Sequence, residues 1–248
     1  MIAEKGEGIV IRQTDFSESS RVMTLFTREF GKISALAKGA KRLKGPFEAA
    51  LDLLTRCNIV FLRKSSGALD LLTEAKLIQR FKAKDRSLES LYAGYYVAEL
   101  LGNLTEEYDP HAVLYAETVQ ALDRFQSWDR LENAVARFEL MLLKEIGHQP
   151  ALEGCLVCER ELDNSLPYAF KVHQGGVVCF ECLREEPVRR IHAGTLIVMQ
   201  KLLSEQDSSW ERVVLSKEQI EELRSICNAA IAHVMGKRPK MLSYLKFS

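Results

Sequence analysis

The chain has 248 residues and a mass of 28.1 kDa, which is enough to bury a sizeable core in one large or two to three small domains. Its 47% hydrophobic and 27% charged residues are average for globular proteins, which excludes a disordered or fibrous chain. The net charge is zero, but residues 1–82 hold 15 basic and 9 acidic side chains and the remainder holds 19 and 25. We therefore expect polyanions to bind the first part of the chain.

Charged residues interrupt every apolar run before it reaches the roughly 18 residues that span a bilayer. Glu4 and Lys5 occupy the place where the apolar core of a signal peptide would lie. We expect a cytoplasmic protein that makes no membrane contact. In a reducing compartment, six cysteines act as core residues, nucleophiles or metal ligands, and their spacing must decide between these roles.

The first 80 residues alternate apolar and polar side chains with the period of two that half-buried strands show. Five short strands are predicted, at residues 8–11, 21–26, 33–37, 57–62 and 69–73. Five strands in this length fit a closed oligonucleotide-binding (OB) type barrel over residues 1–80, because closure removes exposed strand edges. An SH3-like barrel is the competing interpretation.

From about Asp85 the apolar spacing changes to 3.6, which predicts a helical domain over residues 86–150 that helices within 193–248 complete. Residues 81–86 are the predicted linker. The predicted helices are one over 87–104, one capped by Asp109 and Pro110 that ends near Phe125, one from Leu131 that stops at Gly147, one over 195–203, and one that a capping box at 216–219 opens and Gly236 closes. The fold class is therefore α+β and multidomain.

Four cysteines have the spacing of a metal site, with one C-x-x-C pair at Cys155 and Cys158 and a second, twenty residues on, at Cys179 and Cys182. Each pair lets two thiolates converge on one ion, and four sulfurs complete the tetrahedral shell of a structural zinc. Three alternatives remain: four unrelated buried cysteines, a redox pair, or a catalytic zinc. The chain lacks a thioredoxin-like βαβ pattern, and four thiolates leave no open position on the ion.

Between the two pairs, apolar residues at 168–173 and 177–178 flank Gln174, Gly175 and Gly176, which predicts a β-hairpin. We expect a zinc module over residues 151–192, inserted in the helical domain. The remaining cysteines, Cys57 and Cys227, lie in apolar patterns and are predicted core residues. The histidines near the module are predicted to be surface residues rather than ligands: His148, His173 and His192.

A basic loop is predicted after the third strand, where Lys38, Lys41, Arg42 and Lys44 place four cations in seven residues. Glycines in the loop let the backbone approach phosphates, and the faces of OB barrels commonly bind oligonucleotides. We therefore interpret the loop as a DNA-binding site; a solvated loop without a ligand is the alternative. Further candidate contacts lie on nearby strands or turns: Arg21, Arg28 and Lys32.

In this order and spacing, the motifs resemble the RecO family of bacterial recombination and repair mediators over essentially the full length. The resemblance rests on residues 37–42, 95–101, 138–143 with Gly147 and Pro150, the two cysteine pairs with Gly175 and Gly176, and 233–239. One departure is Met241-Leu-Ser243, where a more basic Leu-Lys-Ser is usual.

The resemblance implies a non-enzymatic, nucleoid-associated protein without a small-molecule substrate, with one structural Zn²⁺. It implies binding of single- and double-stranded DNA, strand annealing, contact with RecR, and recognition of the acidic C-terminal tail of single-stranded-DNA-binding protein (SSB). With RecR, such a protein helps to place RecA on SSB-coated strands. A tail of this kind needs a cation beside an apolar pocket, and Arg137 next to Phe138 is the candidate pair.

Two other classes of function remain at this point. A metal-dependent nucleic-acid hydrolase would need an Asp, His and Glu cluster around an open metal site, and the sequence presents none. A zinc-ribbon scaffold that binds only protein would show no salt-sensitive DNA binding.

Overall fold

A computed structural model describes residues 2–42, 47, 50–64, 68–127, 130–163, 168–183, 189–204 and 208–245. The chain divides into two compact units, one of Met1–Asp129 with Lys240–Ser248 and one of Arg130–Pro239. Across the described ranges, every helix is too short or too polar to cross a bilayer.

Five strands of the first unit close into a barrel in the order β1-β2-β3-β5-β4. They are β1 (Ile2–Asp15), β2 (Arg21–Thr27), β3 (Gly31–Ala37), β4 (Arg56–Arg63) and β5 (Asp70–Gln79). β1 pairs antiparallel with both β2 and β4, and β3 pairs with β5 in parallel at residues 35–37. The predicted five-stranded OB-type barrel is confirmed.

The barrel interior follows the period-two pattern of the strands. Residues of β3 alternate between buried and half-buried, and Ile33 and Ala35 point into a core shared with Met23, Leu25 and Phe61. β1 is much longer than predicted because it uses residues 2–9 against β4 and 8–15 against β2. Its charged and glycine-containing first half hides the alternation that marks a strand.

The α-helices in the described part of the barrel unit are α1 (Leu88–Leu104) and α2 (Ala112–Ser127). α1 begins as predicted, with the Ser87 side chain accepting a hydrogen bond from the Ser90 backbone N–H. The predicted start of α2 is wrong, because the helix begins at Ala112 instead of Pro110. Asp109 does not cap it: its carboxylate contacts His111 Nε2 at 3.2 Å.

The described residues of the second unit form α-helices and a small sheet. The helices are α3 (Leu131–Glu145), α4 (Ala193–Leu203) and α5 (Lys217–Met235), and the sheet has the order β7-β6-β8, with β6 (Tyr168–Lys171), β7 (Gly176–Val178) and β8 (Arg189–Ile191). Buried Glu139 on α3 accepts a hydrogen bond from Arg224 on α5 at 3.1 Å. The predicted capping box of α5 is present at Ser216 and Gln219, and Gly236 ends the helix with a φ of 69°.

The compact units distribute the helices differently from the predicted helical domain over 86–150. α1 and α2 group with the barrel, whereas α3 groups with α4 and α5. Polar contacts support the first grouping, since Glu7 of β1 accepts a hydrogen bond from Tyr115 of α2 at 3.0 Å. Helical periodicity does not reveal such contacts. The division into a barrel, a helical domain and a zinc module as separate domains stays a prediction.

Gly31 in the turn before β3 generates a stability prediction. Its φ is +67°, and a Cβ atom built there would lie 2.0 Å from the carbonyl oxygen of Asp109. Gly39 has a similar φ of +77°, but its nearest contact would be an ordinary 3.5 Å from Arg42. We expect Gly31→Ala to lower the free energy of unfolding by at least about 1 kcal/mol more than Gly39→Ala, because the backbone must also move. Urea denaturation measures this, and equal losses would contradict the close contact.

Candidate functional site

The four predicted metal ligands meet in space. The Sγ atoms of Cys155, Cys158, Cys179 and Cys182 all lie within 4.8 Å of one another, and those of Cys158 and Cys179 are 3.9 Å apart. A tetrahedral zinc with Zn–S bonds of about 2.3 Å requires sulfurs roughly 3.8 Å apart. The cluster can therefore hold one metal ion with four sulfur ligands.

Backbone hydrogen bonds position both cysteine pairs. The first pair is fastened to β7, because the Leu156 N–H donates to the Val177 carbonyl at 2.9 Å. Gly176 leaves room beside this contact, since a Cβ atom there would lie 2.9 Å from Ala151 and 3.0 Å from Leu156 Cδ1. In the second pair, the Cys182 N–H donates to the Cys179 carbonyl at 3.1 Å and closes a tight turn.

Without a metal, the thiols of Cys155 and Cys182 have pKa values shifted in opposite directions. Burial raises the pKa of Cys155, but backbone N–H groups, foremost that of Cys158, outweigh it and lower the pKa to about 6. Hydrogen bonds with Cys158 and Cys179 raise the pKa of Cys182 to about 12. Because metal binding needs deprotonated thiolates, it must release protons here, and acidification weakens it.

The surroundings of the cluster match most of the sequence predictions. The hairpin forms from β6 and β7, and β8 adds a third strand that was not predicted. Cys57 and Cys227 are buried core residues, and desolvation raises the pKa of Cys57 to about 12. The three nearby histidines are exposed: His148, His173 and His192.

Four of the predicted DNA-binding residues come together at one end of the barrel: Arg21, Lys38, Lys41 and Arg42. We call these four residues the basic patch. Arg21 opens β2 opposite Ala37, the last residue of β3, so Lys38 emerges beside it. Asp15 joins two of the four, with its carboxylate 3.1 Å from Arg21 Nε and 2.9 Å from Lys41 Nζ.

Lys41 also fastens the basic loop to the turn between β1 and β2. Its ammonium donates to the Ser17 carbonyl at 3.0 Å, and its backbone N–H donates to the Ser19 carbonyl at 3.2 Å. The Lys41 ammonium is also the main cause of a lowered pKa at Asp15. Lys38 and Arg42 are exposed and have no ion-pair partner among the described residues. Lys44, the fourth predicted cation of the loop, lies outside the described residues.

The other two barrel candidates lie elsewhere. Arg28 and Lys32 flank the turn after β2, and the seven residues of that strand separate them from the patch by roughly 20 Å. The Lys32 ammonium donates to the carbonyls of Gly102, at 2.9 Å, and Thr105, at the C-terminal end of α1. Burial lowers the pKa of Lys32. These contacts tie Lys32 to the C-terminal end of α1, and its predicted role as a phosphate ligand stays a prediction.

The predicted SSB-tail site at Arg137 and Phe138 is not a surface. Phe138 is buried, and Arg137 is only 5% exposed. The Arg137 guanidinium donates to the carbonyls of Leu202 and Ser204 at the C-terminal end of α4 and stacks over the Trp210 ring. The prediction is wrong because this cation has a structural role inside the second unit.

Sequence reasoning missed one exposed residue beside the patch. Phe16 follows the last residue of β1, and 62% of it is exposed. It precedes the polar run Ser17-Glu18-Ser19-Ser20 in the sequence. The sequence signal that could have identified it is a single aromatic residue in an otherwise polar turn between two strands.

The fold and the clusters define an OB-barrel protein with a four-cysteine cluster that could hold a metal ion. Two family models match the chain: Recombination protein O N terminal over residues 1–81, and Recombination protein O C terminal over residues 86–243. Together they cover nearly the whole sequence. The chain therefore belongs to the RecO family of DNA repair proteins.

Individual relatives agree with this assignment. The chain is 47% identical over 175 residues to DNA repair protein RecO of Rhodopirellula baltica, a match that covers 70% of this chain and 65% of that relative. It is 28% identical over 244 residues to DNA repair protein RecO of Syntrophus aciditrophicus, covering 97% of this chain and 94% of the relative. The protein of the same name from Listeria monocytogenes is 32% identical over 75% of this chain and 71% of its own length.

Arg137 generates a prediction about stability. We expect Arg137→Ala to lower the free energy of unfolding by about 2 to 4 kcal/mol, because the α4 carbonyls lose their charged partner and a buried space opens. The matched control is Arg190→Ala, which removes an exposed arginine of the same unit and should change stability by less than about 0.5 kcal/mol. Urea denaturation compares the two, and equal effects would contradict the structural role.

Proposed function

We propose that this RecO-family chain binds DNA through the basic patch and acts as a non-catalytic mediator of recombinational repair. The observation that carries the proposal is the meeting of Arg21, Lys38, Lys41 and Arg42 at one end of an OB barrel. The loop between strands 1 and 2 is one of the places where OB folds bind oligonucleotides. Lys41 ties the patch to that loop.

The patch acts by neutralising phosphate charge. Lys38 and Arg42 are exposed, so each can neutralise a DNA phosphate and release the counterion that was bound there. Asp15 compensates part of the charge of Arg21 and Lys41, so these two residues shape the surface as well as attract the strand. Lowering the charge of one strand reduces its repulsion of a second, which favours annealing of complementary strands. Both single- and double-stranded DNA are substrates for such contacts, since phosphate contacts carry no sequence information.

The proposed partners follow from the family. We expect the chain to act with RecR, to recognise the C-terminal tail of SSB, and to help place RecA on SSB-coated single strands. The tail must bind somewhere other than Arg137 and Phe138, because both are buried. A protein with these tasks works in the cytoplasm, at the nucleoid.

The metal of the four-cysteine cluster is proposed to be one structural zinc. Four thiolates suit a tetrahedral zinc and leave no coordination position for a reacting water. The ion would join the two turns that carry the cysteine pairs to the small sheet of the second unit. Its contribution is folding free energy, not catalysis.

A protein-binding scaffold is the second candidate function. The apolar side chains of Leu156, Val157 and Phe180 beside the cysteine cluster are exposed, as a protein-binding surface would require. This function alone would give no salt-dependent affinity for DNA, so the following experiment separates the two.

The basic patch predicts the salt dependence of DNA binding. Each phosphate contact contributes about 0.7 to 0.9 to the slope of log affinity against log salt concentration. Lys38→Ala with Arg42→Ala should therefore flatten the slope by about 1.5, and replacing Arg21 and Lys41 as well should flatten it by about three. Fluorescence anisotropy with labelled DNA at several salt concentrations measures the slope.

The matched control removes two exposed basic residues of the same unit outside the patch, Lys5→Ala with Arg80→Ala. It changes the net charge equally and should leave the slope almost unchanged. If the control flattens the slope as much as the patch variant does, the DNA contacts are diffuse and the proposed site is wrong.

The cysteine cluster predicts the metal content. Elemental analysis of protein purified without added metal should find about one zinc per chain, and Cys179→Ser should remove it because three thiolates bind far more weakly than four. The control is Cys227→Ala, since Cys227 is a buried cysteine outside the cluster. Full zinc content in Cys179→Ser would contradict the proposed ligand set.

A further inference from the structure

The turn between β1 and β2 presents an aromatic ring to solvent beside the basic patch. Beyond Ile9, β1 no longer pairs with β4, and residues 12–15 pair with β2 alone. These four residues are exposed, although strands alternate faces, so both faces of β1 are open to solvent along this stretch. Phe16, at its end, is 62% exposed.

The turn that carries Phe16 is held in place by its own hydrogen bonds. The N–H groups of Phe16 and Ser17 both donate to the Ser20 carbonyl, at 3.1 and 3.2 Å, and the Ser20 N–H donates to the Ser17 hydroxyl at 3.2 Å. Lys41 contacts the residues on either side of the ring in sequence, Asp15 and Ser17. The backbone that carries the ring is thus fixed relative to the basic loop.

A single exposed apolar side chain is common and by itself needs no explanation. Phe16 differs in its surroundings, because Asp15 next to it is the carboxylate shared by two cations of the basic patch. The turn also contains the exposed Glu18, so the four cations of the basic patch face two carboxylates, Asp15 and Glu18, among the described residues of the patch and the turn. An aromatic ring beside a net positive surface has the composition of a platform that stacks a nucleic-acid base while cations hold the phosphates.

We propose that Phe16 stacks on an unpaired base of the strand whose phosphates contact the basic patch, and that this contact makes the surface prefer single strands to duplex. The stacking role rests on the proposed function, because the patch must first bring the strand to the barrel. Bases in a duplex are already stacked and paired, whereas those of a single strand offer a free face to the ring. Stacking is independent of salt, while the phosphate contacts are not.

The test compares two strands that differ only in their bases. One is labelled oligothymidylate of about 15 nucleotides, which matches the upper site size of an OB fold, and the other is the same backbone with abasic sites. Phe16→Ala should weaken binding of oligothymidylate by about 5- to 150-fold, leave the abasic strand unaffected, and leave the salt slope unchanged. Phe16→Trp, which keeps an aromatic ring at this position, should bind oligothymidylate about as tightly as the unsubstituted protein.

The control is Ile2→Ala, which truncates a comparably exposed side chain, 68% exposed, at the other end of β1. It should bind both strands like the unsubstituted protein. If Phe16→Ala binds oligothymidylate as tightly as the unsubstituted protein does, or loses affinity for both strands equally, the stacking role is wrong. The phosphate site is judged separately, and it stands if replacing the patch residues flattens the salt slope. If the unsubstituted protein binds neither strand, the phosphate site itself fails and the stacking role fails with it.

Discussion

The closure of the barrel by β3 and β5 is the constraint on which the proposed DNA site depends. These strands pair in parallel only at residues 35–37, opposite 70–72. The buried carboxylate of Asp70 supports the closure by accepting hydrogen bonds from the Lys64 N–H, at 2.9 Å, and from the Tyr108 hydroxyl. The chain leaves β3 at the next residue, Lys38. Because the barrel closes at this point, the basic loop begins beside Arg21 and contacts the turn between β1 and β2.

Burial decides whether a cation of this chain has a structural role or is available to a ligand. Lys32 and Arg137 both donate to carbonyls at the C-terminal end of a helix, where the helix dipole favours positive charge. Arg137 is almost fully buried, and Lys32 is half-buried against α1. Lys38 and Arg42 have the same charge but project from an exposed loop. The number of basic residues in a segment therefore overstates the charge that DNA encounters.

Local patterns predicted the parts of the molecule that depend on neighbouring residues in the sequence. The C-x-x-C spacing identified the four-cysteine cluster, period-two alternation identified the barrel strands, and Ser216 with Gln219 identified the start of α5. Contacts between distant segments were missed. Arg137 was predicted to be a surface residue because the pattern cannot show that α3 buries polar side chains such as Glu139 too.

Two further misses have the same origin. β8 contains two arginines in three residues, and only its pairing with β6 makes it a strand. The predicted start of α2 followed the standard signal of aspartate before proline, but the Asp109 carboxylate contacts His111 and its backbone lies close to Gly31. Phe16 lay in a turn between predicted strands, and its importance appears only when the basic loop is placed against that turn.

Backbone amide hydrogen exchange with and without a saturating oligothymidylate locates the DNA contact without any substitution. If DNA binds the basic patch, exchange slows at residues 15–21 and 38–42, with little change at the β2–β3 turn over 28–32 or at the cysteine cluster over 155–182. Protection confined to the cysteine cluster or to the C-terminal basic residues Lys237, Arg238 and Lys240, with the barrel end unchanged, would contradict the placement of DNA on the basic patch.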